Sequence, residues 1–184
     1  VSDADLLADV LAKDADLIGG VRDDQWTLPT PCAEYDVRAL TDHVVGWLRV
    51  FAAGANDRVA DGDAAAFTTE DPLRDFTAAA DDLVAGWRQG PADRPVKVMA
   101  DPLPRETAFA ITLMEYVTHG CDLAVATGQP VPFGDDVLER AYAAAQATLP
   151  PEYRGPGKAF GHAVPVADDA PALDRLLGFL GRRH

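Results

Sequence analysis

The chain has 184 residues, enough for one domain with a substantial core, and its 48% hydrophobic and 25% charged residues are those of a globular protein rather than a disordered one. Thirty Asp and Glu against sixteen Lys and Arg leave a formal net charge of -14, a field that repels phosphate backbones and anionic lipid, so no nucleic-acid and no membrane partner is expected. No apolar run is long enough to span a bilayer, no secretory leader pattern is seen, and Cys32 and Cys121 are too few for a disulfide framework, so a reduced, cytoplasmic protein is expected.

Helical periodicity dominates, and alternating β-branched runs are scarce. The first helix is predicted from Asp3 to Ile18, with Ser2 as its cap, Asp5 three residues on, and Leu6, Leu7, Val10, Leu11, Leu17 and Ile18 as its apolar stripe. Gly19-Gly20 stops it, and the connector through Trp26 to Pro29-Thr30-Pro31-Cys32 cannot be helical. The second helix starts at the capping Asp36 and runs to about Ala53, followed by an acidic loop rich in Ala and Gly up to Asp71. Pro72 opens the third helix behind the capping Asp71, and this helix ends near Trp87, before Gly90-Pro91. Pro95 to Met99 is extended at best, the fourth helix runs from Arg105 to Ala126 with Gly128 as its stop, and the fifth spans Asp135 to Thr148. A Gly- and Pro-rich tail from Glu152 to Asp169 precedes a last short helix from Pro171 to Leu180. The expected fold is all-α: an up-and-down four-helix bundle variant over residues 1–130, with residues 131–184 a short helical C-terminal extension packed on the same domain. The long loops after the second and third helices leave room for a crossover.

Helix four carries the chemistry. At 100° per residue, Glu115 and His119 lie within about 40° of each other and Asp122 within roughly 20° of Glu115, beside an apolar arc of roughly 200°. A narrow polar arc of this kind either faces water or faces an interior cavity. From Glu106 to Gly128 there is no Lys or Arg, whereas a solvated arc normally mixes signs for pairing along the helix, and this favours the interior. A buried Glu and His must then be paired or bound to a metal to offset desolvation. Glu115 and His119 form a two-ligand arm, and His43 on helix two is the candidate third ligand, because His162 lies in the tail and His184 is the last residue. Two His and one carboxylate leave coordination positions open, the pattern of a catalytic rather than a structural site. Asp122 is either the partner that fixes the tautomer of a ligating imidazole or a solvated helix carboxylate. Cys121, roughly 120° from Glu115, is expected to pack in the core. A catalytic role for Cys32 would need a thiol pKa lowered at the start of helix two and is not expected. Trp26, Trp47 and Trp87 are expected to pack between helices rather than line a pocket. Arg38 and Arg105 are candidate carboxylate binders, with surface charge the expected role of each.

Two segments carry a resemblance: Trp26-x-x-Pro29-Thr30-Pro31-Cys32-x-x-Tyr35-Asp36-Val37-Arg38-x-Leu40-x-x-His43-Val44-Val45-Gly46, and Glu115-Tyr116-Val117-x-His119-Gly120-x-Asp122-Leu123-Ala124-x-Ala126-Thr127-Gly128. Both are similar to proteins related to the N-terminal domain of mycothiol-dependent maleylpyruvate isomerase, within the wider DinB/YfiT-like metalloenzyme group. The ending, from Phe160-Gly161 through Asp174-Arg175-Leu176-Leu177 to Gly181-Arg182, resembles a largely uncharacterised subfamily of that group. The resemblance implies a four-helix bundle and a metal site formed by His43, Glu115 and His119, with zinc, or nickel as in some bundle relatives, as the metal. It also implies mycothiol, a low-molecular-weight thiol, as cofactor or co-substrate. The isomerase carries an Arg three residues before its helix-four Glu, where this chain has Thr112.

The resulting expectation is a thiol-dependent transferase or isomerase acting on a small electrophile. The alternative is a bundle of another class, a non-enzymatic binder of a metal or small ligand with a vestigial site. Homodimerisation is an open option for a bundle with an exposed apolar face.

Overall fold

Apolar residues recur at three- and four-residue spacing along each predicted segment, and each such segment is a helix in the computed structural model, which describes residues 1–91, 93–98, 101–155 and 160–182. The helices are α1 (Asp3–Gly19), α2 (Val37–Ala55), α3 (Pro72–Gln89), α4 (Arg105–Thr127), α5 (Asp135–Thr148) and α6 (Ala172–Phe179). Their starts follow the local chemistry. Ser2 accepts from the Asp5 amide, Asp36 from the Ala39 amide and Asp71 from the Arg74 amide, each satisfying a backbone donor that the first helical turn leaves open. Among the described residues, extended pairing is limited to isolated bridges, one of which joins Val96 to Leu103. Met99, at the end of the predicted extended stretch, lies outside the described residues, as does His184.

The order of packing differs from a simple up-and-down bundle. Helix α1 packs on α3, α3 on α2, α2 on α4 and α4 on α1, which closes a four-membered ring. The pairs consecutive in the chain, α1 with α2 and α3 with α4, therefore sit across diagonals. The crossovers are the connectors after α1 and after α3, and the long acidic loop after α2 joins two neighbours. The connector after α1 runs in turns and folds back onto the start of α2: the Val37 amide donates to Leu28 O, the Arg38 amide to Trp26 O, and an isolated bridge pairs Pro29 with Asp36.

Helix α5 packs on the outer side of α4, and α6 packs on α5. Leu138, Ala141, Leu176 and Leu177 join the same continuous core as Leu7, Phe76 and Tyr116. Helix α4 touches α1, α2 and α5 and is buried almost all round; Thr112, Thr118, His119 and Asp122 are all buried. This settles which way its polar arc faces. The arc points into the bundle, towards α2, the connector after α1 and the segment after α6.

Candidate metal centre

The site begins with a turn. The Thr30 hydroxyl donates to the carbonyls of both Cys32 and Tyr35, and the Tyr35 amide donates to Cys32 O. This locks the Pro29-Thr30-Pro31-Cys32 segment so that Cys32 and Tyr35 face the bundle and Asp36 caps α2 two turns before His43. From α4, Glu115 and His119 project from adjacent turns of one face, as their spacing requires.

His43, Glu115 and His119 meet. Glu115 Oε1 lies 3.0 Å from His43 Nε2 and 3.4 Å from His119 Nε2, and the two imidazole rings stand edge to face with centroids 5.2 Å apart. Ligand atoms around one tetrahedral zinc, with bonds of about 2.0–2.1 Å, are separated by about 3.3 Å. The two Glu115 distances fit this spacing, and the three ligand atoms, all within 4.8 Å of one another, form one of two groups that could hold a metal among the described residues. Two nitrogens and a carboxylate oxygen suit zinc and other divalent first-row metals.

Each ring is held from behind. The Tyr35 hydroxyl lies 3.2 Å from His43 Nδ1, and Asp122 Oδ2 lies 3.1 Å from His119 Nδ1. Both Nε2 atoms consequently face Glu115. Asp122 is thus a buried partner of the His119 ring and not a solvated carboxylate, and Tyr35 contacts the His43 ring in the same way from the connector. The carboxylates and the rings pair with each other. Burial would raise the Glu115 pKa, but the His119 and His43 imidazoles outweigh it and hold the carboxyl well below its usual range. Burial would lower the His119 pKa, but Glu115 and Asp122 together raise it to about 9. Burial likewise opposes ionisation of Asp122, and its hydrogen bond with His119 and the charge of Arg182 overcome this and lower its pKa.

Three further residues reach the site that sequence spacing missed. Cys32 is buried, with a ligand atom grouped within 4.8 Å of those of His119 and Asp122, the second metal-competent set. Burial pushes its thiol up to about 11, so it stands there as a neutral thiol and not as an activated nucleophile. Arg182, just beyond α6, is buried and pairs with Asp122 at 3.2 Å. Asp14 of α1 is buried with no hydrogen-bond partner on either oxygen among the described residues, and burial raises its pKa well above the usual value. A cavity of about 10 Å³, room for one water, lies between Asp14, Thr41, Tyr116, His119 and Gly120. A signal for Asp14 was present: it falls three and four residues after Leu11 and Val10, on the apolar stripe of α1.

The other candidates lie elsewhere. Cys121 is fully buried in the core, as expected. Arg38 binds Thr69 O and pairs with Asp42, and Arg105 donates to Trp87 O while stacking on the Trp87 ring, so neither faces the centre. Trp87 packs on Phe109, and Trp47 lies against Phe51 and 6.5 Å from the His43 ring, at the rim of the site. His162 is exposed and lies against Gly155 in the tail.

The family pattern for the mycothiol maleylpyruvate isomerase N-terminal domain matches residues 7–124, which include the connector, His43, Glu115, His119 and Asp122. The chain belongs to this family. Two proteins of Mycobacterium tuberculosis, one from strain CDC 1551 and one from strain H37Rv, are each 34% identical to it over 186 residues, covering 96% of this chain and 97% of their own, and both are described as uncharacterized. No solved structure matches the chain significantly. No helix among the described residues is long and apolar enough to cross a membrane.

Proposed function

We propose that this member of the family binds one divalent metal, zinc or nickel, through His43, Glu115 and His119, and uses it with a low-molecular-weight thiol, mycothiol, to transform a small electrophile by transfer or isomerisation. The observation that carries the reading is the convergence of two Nε2 atoms on Glu115 Oε1 at 3.0 and 3.4 Å, with each ring fixed from behind. A divalent metal bound there would keep positions open and favour the thiolate form of a thiol near neutral pH. The chain's own residues do the rest. Tyr35 and Asp122 hold the imidazoles so that the Nε2 lone pairs face the ion, with Nδ1 of His119 donating to Asp122. Glu115 supplies the one negative ligand. His43 and Glu115, 18% and 14% exposed, leave one edge of the centre open to solvent beside Trp47, and the thiol and electrophile enter there.

In the proposed chemistry the thiolate sulfur bonds to the electrophilic carbon. A leaving group then departs with its electron pair, or, after addition to a conjugated double bond and rotation of the resulting enolate, elimination breaks the new C–S bond, re-forms the double bond and releases the thiolate. Thr112, where the isomerase has Arg, is buried and donates its hydroxyl to Ala108 O, so that position offers no cation to a substrate carboxylate. This argues for an electrophile other than maleylpyruvate.

A second reading, a binding bundle without catalysis, is supported by charge balance: Glu115 and Asp122 are already offset by protonated His119 and by Arg182. Metal analysis of untagged protein separates the readings. About one zinc or nickel per chain in the wild type and none in a His43→Ala/Glu115→Ala/His119→Ala variant is expected, followed by metal-dependent displacement of halide from a chromogenic aryl halide by mycothiol. A metal-bound wild type with no thiol addition to a panel of electrophiles would favour the binding reading. A wild type that takes up no metal even when zinc is added would end the metal reading.

A further inference from the structure

We propose that Arg182, carried by the C-terminal segment, is a positioning residue of the metal centre: it holds the Asp122 carboxylate in the orientation that fixes His119. This rests on the reading of His119 as a ligand. The family match ends at residue 124, so Arg182 belongs to a part of the chain that the family pattern does not describe.

The geometry is a chain of fixed contacts. Arg182 Nη2 donates to Asp122 Oδ2 at 3.2 Å, and Nε lies 3.4 Å from both carboxylate oxygens. The same Oδ2 receives His119 Nδ1 at 3.1 Å. Asp122 is fully buried and Arg182 is 4% exposed, so these charges have little water to turn to, and an Asp122 without its guanidinium would be a buried anion with one partner. Arg182 is itself immobilised: Nη1 donates to Leu180 O at 3.0 Å, and the guanidinium stands 5.4 Å from the Phe160 ring.

The backbone that aims Arg182 inward is a helix-ending turn. Helix α6 closes with the Gly181 amide donating to Gly178 O at 3.0 Å and the Arg182 amide to Leu177 O at 2.9 Å, the two bonds of a Schellman motif. Gly181 has φ +78°, and a Cβ there would come within 2.7 Å of Gly161 Cα, so this turn takes glycine. Leu176, Leu177 and Leu180 are fully buried and anchor α6 to the core. The Gly181-Arg182 pair that closes the third sequence resemblance thus has a physical role: the glycine makes the turn, and the arginine enters the site.

The test measures zinc affinity by competition with a chromogenic chelator in four full-length proteins: wild type, Arg182→Gln, Arg182→Lys and Val84→Ala. Arg182→Gln is expected to weaken zinc binding by about 10-fold, the lower end of the effect of losing a residue that orients a ligand. Arg182→Lys is expected to recover part of the loss. Val84→Ala, in the buried face of α3 and outside both the site and the C-terminal segment, is expected to lower thermal stability while leaving zinc affinity unchanged. Wild-type affinity in Arg182→Gln, or an equal loss in Val84→Ala, would overturn the proposal. A second readout needs no metal: in protein labelled with ¹⁵N-histidine, the His119 Nδ1 proton is expected to exchange with solvent faster in Arg182→Gln than in wild type. Unchanged exchange would overturn the positioning of His119. A wild type that binds no zinc but shows faster exchange in Arg182→Gln would instead remove the metal reading and leave Arg182 orienting His119.

Discussion

Tyr35 and Asp122 do the same work on two different rings, and their substitution should show it. Tyr35→Phe removes the hydroxyl 3.2 Å from His43 Nδ1 and leaves the ring stack in place. Zinc affinity is expected to fall by about 10-fold, measured by chelator competition, with little change in thermal stability. The pH dependence of the metal-free protein follows from the shifted groups. His119 is raised from 6.5 to about 9, so the stability it contributes is complete below about pH 6.5 and is lost as pH rises through about 9. Glu115 and Asp122 are lowered, so their contribution is present above about pH 4.5 and is lost as pH falls through their folded values. Urea midpoints of metal-free protein are therefore expected to decline between pH 7 and 9, and His119→Gln is expected to flatten that decline. An unchanged slope in His119→Gln would refute the assignment.

The contact between α1 and α4 depends on the absence of a side chain at Gly120. A Cβ there would lie 2.8 Å from the Phe133 ring and closer still to Asp14 Oδ1. Gly120→Ala is expected to destabilise the fold by about 1–3 kcal/mol, read from urea denaturation, as α1 and Phe133 are pushed off α4. Because Gly120 follows His119, the same variant should also lower zinc affinity, whereas Gly62→Ala, in a loop where a Cβ meets nothing within 4 Å, should leave zinc binding unchanged. The elements themselves were legible in the sequence: predicted and observed helix bounds agree closely for α1 to α6, because caps such as Ser2, Asp36 and Asp71 and stops such as Gly128 act within a few residues. The ring order of the helices was not legible, since which helices neighbour each other depends on packing of whole faces and not on any one loop.

The whole molecule carries a net charge of -14, which repels itself in the folded state. Raising ionic strength from about 0.01 M to 0.15 M shortens the screening length from about 30 Å to about 8 Å, so thermal midpoints are expected to rise over this range in sodium chloride. A flat or falling response would mean that the exposed pairs, such as Lys13 with Asp9 and Arg88 with Asp5, outweigh the net repulsion. The molecule also uses its full length for one site. The connector after α1 brings Cys32 and Tyr35, α2 brings His43, α4 brings Glu115, His119 and Asp122, and the segment after α6 brings Arg182.

Helical periodicity alone was enough to place Glu115, His119 and Asp122 on one face, because rotation per residue is a local property of the backbone. The scarcity of imidazoles then singled out His43 as the candidate third ligand. The partners of these residues needed the folded chain. Arg182 and Asp14 come from segments separated from α4 by whole helices, and Tyr35 from the turn before α2; the apolar stripe of α1 marks Asp14 as buried, but no local spacing encodes which residue each of the three faces. Cys32 was set aside on chemical grounds, and burial does keep its thiol protonated, yet packing puts it against His119 and Asp122. Contacts between distant segments are set by how apolar faces interlock, and the compensation of buried charge by Arg182 emerges only once those faces have closed around Asp122.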